Sequence, residues 1–376
     1  MKKVLILIPS FSSGGGAEKI LSAILNNGDF ADYKFDIIET ERGSRGLEKY
    51  PANVSIKNYL YSYKYPNFLN ILLMQLGKKF PNLLRKYLVR DDNYDIEIHF
   101  EIMYPDMPFS KNNNRKIHWV HGSIEDFAED RYAWRKENYK NHFGQANKIV
   151  AISKKTRQSI IDLYPQYENK ISLVYNGYDF ESIKEKAKEE SEIAVKEKSI
   201  FTLGRISKEK GSDKVLEIIK SLHEKGYKYN LYYVGSGVME EELKQKVQDY
   251  GLGDYVHFLG YQSNPYKIMK NMSCLLSMSL QEGFSGAYVE AMSLGIPFVS
   301  TEVGGSEELS QNGKFGKVIY SNTQAEESLV NYLEGKEQVN KEEMTAFIEN
   351  FTLENQVANF KKLLEGLEPQ GDSNVH

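Results

Sequence analysis

Short apolar runs punctuate this chain, and between them apolar residues recur every three or four positions. In the first half the runs are Val4–Ile8, Phe35–Ile38, Ile96–Phe100, Ile117–Val120, Ile149–Ile152 and Ile171–Tyr175. In the second half they are Ile200–Leu203, Leu231–Val234, Tyr255–Leu259, Cys274–Met278, Ile296–Ser300 and Lys317–Ile319. Near-continuous apolar runs of this length read as strands buried on both faces. Their alternation with helical patterns predicts parallel sheets covered by helices, twice over, an α/β class. Glu181–Lys198 interrupts the pattern; rich in Lys and Glu and poor in aromatics, it reads as a solvated helix and linker. Phe351–Gly366 is a further helical pattern after the second sheet is complete, and the polar tail from Glu368 is expected to be disordered. No repeat at fixed period occurs.

Length agrees with this division. At 376 residues the chain suits two domains of roughly 150. The expected boundaries are a first domain at 1–180, a linker at 181–198, a second domain at 199–350, a last helix at 351–367 and a tail at 368–376. A net charge of −4 gives no footprint for nucleic acid. The single cysteine, Cys274, excludes an internal disulfide and fits a reducing compartment. It lies in a predicted strand and reads as a core residue. Met1-Lys2-Lys3 before Val4–Ile8 imitates a signal peptide, but the run is too short, and Pro9 and a glycine loop follow. No run reaches the about 18 apolar residues of a membrane span. A cytoplasmic protein is expected, peripheral on the inner face of the membrane.

Candidate chemistry gathers where strands end. Cys274–Met278 leads into Glu282-Gly283-Phe284-Ser285-Gly286-Ala287-Tyr288-Val289-Glu290, with a helix expected to open near Gly286 and to end at Gly295. The free N–H groups of such a helix start favour an anion, commonly a phosphate. Carboxylates on either side suit sugar hydroxyls, so the unit implies a nucleotide-sugar pocket. Ser12-Ser13-Gly14-Gly15-Gly16-Ala17-Glu18-Lys19 follows the first strand and opens a helix. Its glycines allow close backbone approach to a ligand, and it is not the G-x-G-x-x-G of dinucleotide sites. Gly204-Arg205 and Lys210-Gly211 follow strand Ile200–Leu203, and His121 closes strand Ile117–Val120.

The stretch from Glu282 to Glu290 resembles the E-x7-E signature of the retaining glycosyltransferases of family 4 (glycosyltransferase group 1), bacterial polysaccharide type. The other landmarks occur in the same order over nearly all the chain. The resemblance implies a GT-B fold, two Rossmann-like domains facing each other across a cleft, the first binding acceptor and the second nucleotide sugar, with the last helix crossing back to the first domain. It implies that Arg205 and Lys210 grip the donor diphosphate, that Glu290 accepts from the ribose hydroxyls and Glu282 contacts the transferred sugar. Backbone amides of Phe284, Ser285 and Gly286 are expected to meet sugar and phosphate. Gly16 lies in the loop under the donor phosphate, Gly204 and Gly235 on the nucleotide side, and Tyr261 in the loop beside the base. Val303–Glu308 resembles the loop near the cleft. His121 resembles a histidine lining the donor-sugar site and is not expected to be a general base. The catalytic set is therefore His121, Glu282, Arg205 and Lys210. Ser153 and Asn176-Gly177 also match positions of the family, but read equally as a helix cap and a turn.

The sequence contains no D-x-D, the motif with which many transferases hold a metal. The two cations are expected to replace it, so no metal and no cofactor are expected. The implied reaction is metal-independent, retaining transfer of a hexosyl unit from a nucleotide diphosphate sugar, foremost a UDP-sugar, to a lipid-linked repeat unit of a capsule or exopolysaccharide. Alternatives are transfer to protein Ser or Thr and a non-catalytic partner subunit of another transferase. A sugar-nucleotide epimerase shares the architecture but not this residue set.

From Lys49 to Arg90 there is no Asp or Glu. Lys49, Lys57, Lys64, Lys78, Lys79, Arg85, Lys86 and Arg90 stand among Tyr59, Tyr61, Tyr63, Tyr65, Phe68–Met74 and Leu83-Leu84. Basic residues beside apolar ones suit an anionic lipid surface as well as an ordinary helix pair.

Overall fold

The computed structural model describes residues 1–12, 15–43, 50–90, 93–124 and 133–369. Ser13 and Gly14 of the glycine loop, Lys49 of the basic segment and the tail from residue 370 lie outside the described residues. The chain forms two compact units, one of Met1–Gly177 with the stretch from Leu353, the other of Tyr178–Thr352.

The first unit holds β1 (Lys2–Ile8), β2 (Tyr33–Arg42), β3 (Val54–Ser62), β4 (Ile96–His99), β5 (Arg115–Val120), β6 (Lys148–Ala151) and β7 (Ile171–Leu173). They form one sheet in the order β3-β2-β1-β4-β5-β6-β7, parallel throughout. The second unit holds β8 (Ser199–Leu203), β9 (Asn230–Val234), β10 (Val256–Phe258), β11 (Cys274–Ser277), β12 (Phe298–Thr301) and β13 (Gly316–Ile319). Their order is β10-β9-β8-β11-β12-β13, again all parallel. This is the doubly wound arrangement. Winding reverses between β1 and β4 in one sheet and between β8 and β11 in the other. Beyond the carboxyl ends of such neighbours the crossovers diverge and leave room for a ligand.

Burial explains the apolar runs. Val4, Leu5, Ile6 and Leu7 of β1 are fully buried, as are Ile200 and Phe201 of β8. Helix Leu353–Glu365 packs in the first unit, where Phe360 meets Phe30 edge-on at 5.7 Å and Trp119 at 6.0 Å. Arg115 Nη1 donates to the Leu364 carbonyl at 3.0 Å, satisfying an orphan acceptor in the last turn of that helix. Residues 181–198 pack with the second unit. Helix Phe180–Lys188 buries Phe180, Ile183 and Ala187, and Lys186 and Glu189 carbonyls accept from Asn264 (2.9 Å) and Lys270 (3.1 Å).

One strand departs from the sequence expectation. β3 lies inside the basic aromatic segment and pairs with β2 through a register shift between Ile37 and Ile38. It is an edge strand with half-exposed polar positions, so no continuous apolar run marks it. Helices Asn67–Lys79 and Pro81–Val89 follow it. The segment's cations are also not all solvated: Arg85 is buried and forms a bidentate pair with Glu97 at 2.6 and 3.0 Å. Its place among the surface cations is therefore corrected.

Candidate functional site

In the second unit the chemistry collects beyond β8 and β11. Lys210 immediately precedes Gly211, whose left-handed φ of +62° caps helix Ser212–Glu224. A Cβ on Gly211 would lie 1.9 Å from the Met278 carbonyl oxygen, so only glycine lets this turn rest on the end of β11. The Leu280 N–H donates to the Glu209 carbonyl at 2.9 Å and ties the two loops together. Lys210 Nζ thereby reaches Glu282 Oε1 at 2.6 Å. Ser279 Oγ donates to the same oxygen at 2.8 Å. Tyr288 donates to Ser277 Oγ at 3.0 Å beneath them. Burial and the Glu282 charge hold the Tyr288 hydroxyl above its usual range, so it stays a donor.

Helix Gly286–Ser293 opens with Ser285 at its cap, and the Ser285 side chain makes no capping hydrogen bond to its first N–H groups. An end without a side-chain cap is where a ligand oxygen can be received. Glu290 sits on this helix and accepts from the Tyr266 hydroxyl, which burial and that carboxylate push upward. Tyr178 lies over the helix start: a Cβ on Gly286 would lie 3.3 Å from the Tyr178 hydroxyl. Burial first, then Glu290 and Glu282, push that phenol upward as well. Phe284 is buried against Phe351 at 5.3 Å, which fixes the loop between the two glutamates.

The nucleotide-side glycines meet backbone to backbone. Gly235 has φ +143°, and a Cβ there would lie 1.9 Å from the Gly204 carbonyl oxygen. Arg205 follows Gly204 with its side chain 71% exposed and 3.5 Å from Glu209. Tyr261 is 74% exposed. Lys210, Glu282, Phe284, Ser285, Gly286 and Glu290 therefore form one constellation, while Arg205 and Tyr261 are exposed to solvent.

Gly16 and His121 belong to the first unit. Gly16 is the first residue of helix Gly16–Asn27, behind cap residue Gly15. His121 follows β5, with its ring 4.7 Å from Phe100. Burial pushes the imidazole down to about 3, against a hydrogen bond to the Phe100 backbone that raises it. The ring is neutral at physiological pH, and its buried Nε2 has no partner among the described residues. Beside it Glu101 accepts from Tyr139 at 3.2 Å and from its neighbour Ile102 N–H at 2.8 Å; burial raises this carboxyl.

The His121 shift has a measurable consequence. A folded pKa of about 3 against about 6.5 unfolded means that the unfolded chain takes up the proton first as pH falls. Stability is then lost below pH about 6.5. Between pH 7.5 and 5.5 the wild type should lose up to about 1.4 kcal/mol more than His121→Asn. Urea titrations at the two pH values check this; equal losses would contradict it.

Sequence reasoning missed Tyr178, Tyr266, Ser279 and Glu101. The two tyrosines reach Glu290 and the helix start from distant segments, and no spacing announces them. Ser279 closes the apolar run three positions before Glu282, the one local signal available. Of the other matched positions, Ser153 is a helix cap, accepting from Thr156 N–H at 3.0 Å. Cys274 is fully buried in β11, its thiol pushed upward by burial, as a core residue should be.

Two doubly wound units, with cations, carboxylates and a helix start at the switch point of the second, define a GT-B protein. The chain belongs to the glycosyltransferases of group 1 and family 4. The group described as glycosyl transferases group 1 matches residues 183–366, and glycosyltransferase family 4 matches residues 14–182. Among relatives, it is 24% identical over 351 residues to the amylovoran biosynthesis glycosyltransferase AmsD of Erwinia amylovora, covering 91% of this chain and 92% of that one. It is 29% identical over 178 residues to the N-acetylgalactosamine-N,N'-diacetylbacillosaminyl-diphospho-undecaprenol 4-alpha-N-acetylgalactosaminyltransferase of Campylobacter jejuni, covering 47% of each. With the capsular polysaccharide biosynthesis glycosyltransferase CapM of Staphylococcus aureus the identity is 28%, over 46% of this chain and 48% of that one. The match thus spans about half the length of several of these relatives. In fold the chain is similar to Anabaena HepE, solved in complex with UDP (TM-score 0.68, 15% identity, 98% of this chain and 100% of that one). WaaG, a glycosyltransferase involved in lipopolysaccharide biosynthesis, gives a TM-score of 0.71 at 16% identity, over 96% and 100% of the two chains.

Proposed function

We propose that this chain is a retaining, metal-independent glycosyltransferase that moves a hexosyl unit from a nucleoside diphosphate sugar, foremost a UDP-sugar, to a lipid-linked glycan of a capsule or exopolysaccharide. The observation that carries the reading is the Lys210–Glu282 pair beside the uncapped start of helix Gly286–Ser293. Diphosphate binding would draw Lys210 and Arg205 onto the phosphates and free Glu282 for sugar hydroxyls. Glu290 would accept from the ribose, oriented by Tyr266. As the anomeric carbon–oxygen bond breaks, the charge left on the diphosphate is met by the two cations and the helix N–H groups. The acceptor oxygen bonds to the anomeric carbon on the face the diphosphate leaves, and a phosphate oxygen takes the acceptor proton. His121, neutral, serves as a hydrogen-bonding group and not as a base.

Among relatives, the Campylobacter enzyme's name places a diphospho-undecaprenol glycan at its acceptor, and AmsD and CapM are named for the biosynthesis of amylovoran and of capsular polysaccharide. These support the acceptor class. The donor test is a metal-free thermal shift against UDP, GDP and ADP. UDP at a hundred times its dissociation constant should stabilise the chain by about 2.7 kcal/mol. Glu290→Ala should lose most of that shift and Arg205→Ala should reduce it; absence of a shift with every nucleotide would remove the reading.

Membrane docking is part of the proposal. No helix among the described residues is long and apolar enough to cross a membrane. Helices Asn67–Lys79 and Pro81–Val89, with Phe80 between them, instead expose Phe68, Ile71, Leu72, Leu76, Phe80, Leu83 and Tyr87 beside Lys78, Lys79 and Lys86. Apolar side chains ringed by lysines fit an anionic bilayer surface. The chain should float with phosphatidylglycerol vesicles at low salt. Phe68→Ser/Leu72→Ser/Leu83→Ser should abolish flotation, and binding that survives the triple substitution would refute the surface.

A further inference from the structure

One face of the first sheet carries a buried polar chain with no part in the reaction above. His99 of β4 and His118 of β5 stand opposite each other in register, both fully buried. Helix Ala133–Gln145 lays Tyr139, His142 and Phe143 on one side at helical spacing, and His142 comes down on the pair. One ring nitrogen from each of the three histidines lies within 4.8 Å of the others.

Two of the rings are oriented from behind by carboxylates. His142 Nε2 lies 3.1 Å from Asp106, leaving its Nδ1 facing inward. His99 Nε2 lies 3.0 Å from Glu97, whose charge is met by the bidentate Arg85 and by the Ser110 N–H at 3.1 Å. A carboxylate on the outer nitrogen fixes the tautomer and leaves a lone pair on the inner one, the usual support of a metal-bound histidine. His118 Nδ1 stands 3.2 Å from His142 Nδ1. Two nitrogens on one tetrahedral zinc, at about 2.0–2.1 Å each, are separated by about 3.3 Å.

The plain alternative is a hydrogen bond from His118 to His142 in a dry polar core. That alternative leaves His99 Nδ1 and His118 Nε2 buried without partners among the described residues. Two orphaned acceptors within a triad of imidazoles need an explanation. A cation closing on the inner nitrogens uses the first, with a ring movement of about 1–1.5 Å for the third ligand.

We propose that His99, His118 and His142 bind one divalent transition metal, zinc, with Asp106 and Glu97 as its outer carboxylates. The metal would pin helix Ala133–Gln145 to β4 and β5. It lies in the first unit, apart in sequence and role from the donor cations of the second, and the proposal does not depend on the donor reading.

The test uses the full, untagged chain expressed with zinc supplied. Elemental analysis should find about one zinc per chain. After chelation, Co2+ alone should give the visible ligand-field bands of a low-coordinate site, and Zn2+ alone should raise the Tm. His118→Gln and His142→Gln should lose the zinc. If those variants fail to fold, Asp106→Asn keeps all three ligands and should weaken zinc binding roughly 10–100-fold. A wild type without zinc, cobalt bands or a Tm rise overturns the proposal. So does zinc retained in both folded histidine variants, or Asp106→Asn binding zinc as the wild type does.

Discussion

Lys210→Ala should lower kcat for sugar transfer by about 10²–10³, the range for removing one preorganised group that meets developing charge. The donor KM should move far less, because the diphosphate gains most of its charge only as the glycosidic bond breaks. The geometry makes Lys210 the cation to remove. Its ammonium is held 2.6 Å from Glu282 with only 26% of the side chain exposed, whereas Arg205 is 71% exposed and pairs loosely with Glu209. Water screens Arg205 more, so Arg205→Ala should cost about tenfold less in kcat. Removing Lys210 also strips Glu282 of its cation while Ser279 still donates to it. Glu282→Gln in the Lys210→Ala background therefore tests whether the lysine acts on the donor or only on the glutamate. Rescue of kcat by the second substitution would reassign Lys210 to holding Glu282. A single-variant kcat within threefold of wild type would remove it from the catalytic set.

Gly211→Ala should be among the most damaging single methyls in the second unit. An alanine there adopts a left-handed backbone, at roughly 1–2 kcal/mol. Its Cβ also meets the Met278 carbonyl oxygen at 1.9 Å, and that is backbone of the β11 exit that cannot swing aside. Overpacking of this kind adds about 1–3 kcal/mol, for a total of about 2–5 kcal/mol. Gly260→Ala is the control. It has nearly the same φ, +65°, but nothing within 4 Å of the added Cβ, so it should show only the backbone term. Urea unfolding of both variants reads the difference. The folded fraction of Gly211→Ala should also lose nucleotide binding, because Lys210 moves with the displaced turn. Equal destabilisation of the two variants would show that φ alone matters at Gly211.

Much of this was legible beforehand because parallel strands buried on both faces write themselves as apolar runs. Twelve of those runs fall on strands in the structure. β3 escaped because an edge strand has one side in water and needs no such run. The stretch from Glu282 to Glu290 was equally legible, since a strand, a glycine loop and a helix start are local events. Arg85 was misread for the opposite reason: whether a cation is solvated depends on what faces it, and Glu97 comes from another strand. The histidine triad was invisible for the same cause, its members lying on two strands and a helix.

By itself the sequence determined the class of fold, the family and the residues that bear charge at the strand ends. These follow from periodicity and from short motifs whose geometry is set within a few residues. The tertiary structure alone decided that Lys210 pairs with Glu282, that Tyr266 and Tyr178 address Glu290 and its helix, and that His99, His118 and His142 converge. Each of those is a contact between segments far apart in the chain, fixed by strand order and backbone approach, and a linear pattern carries no term for either.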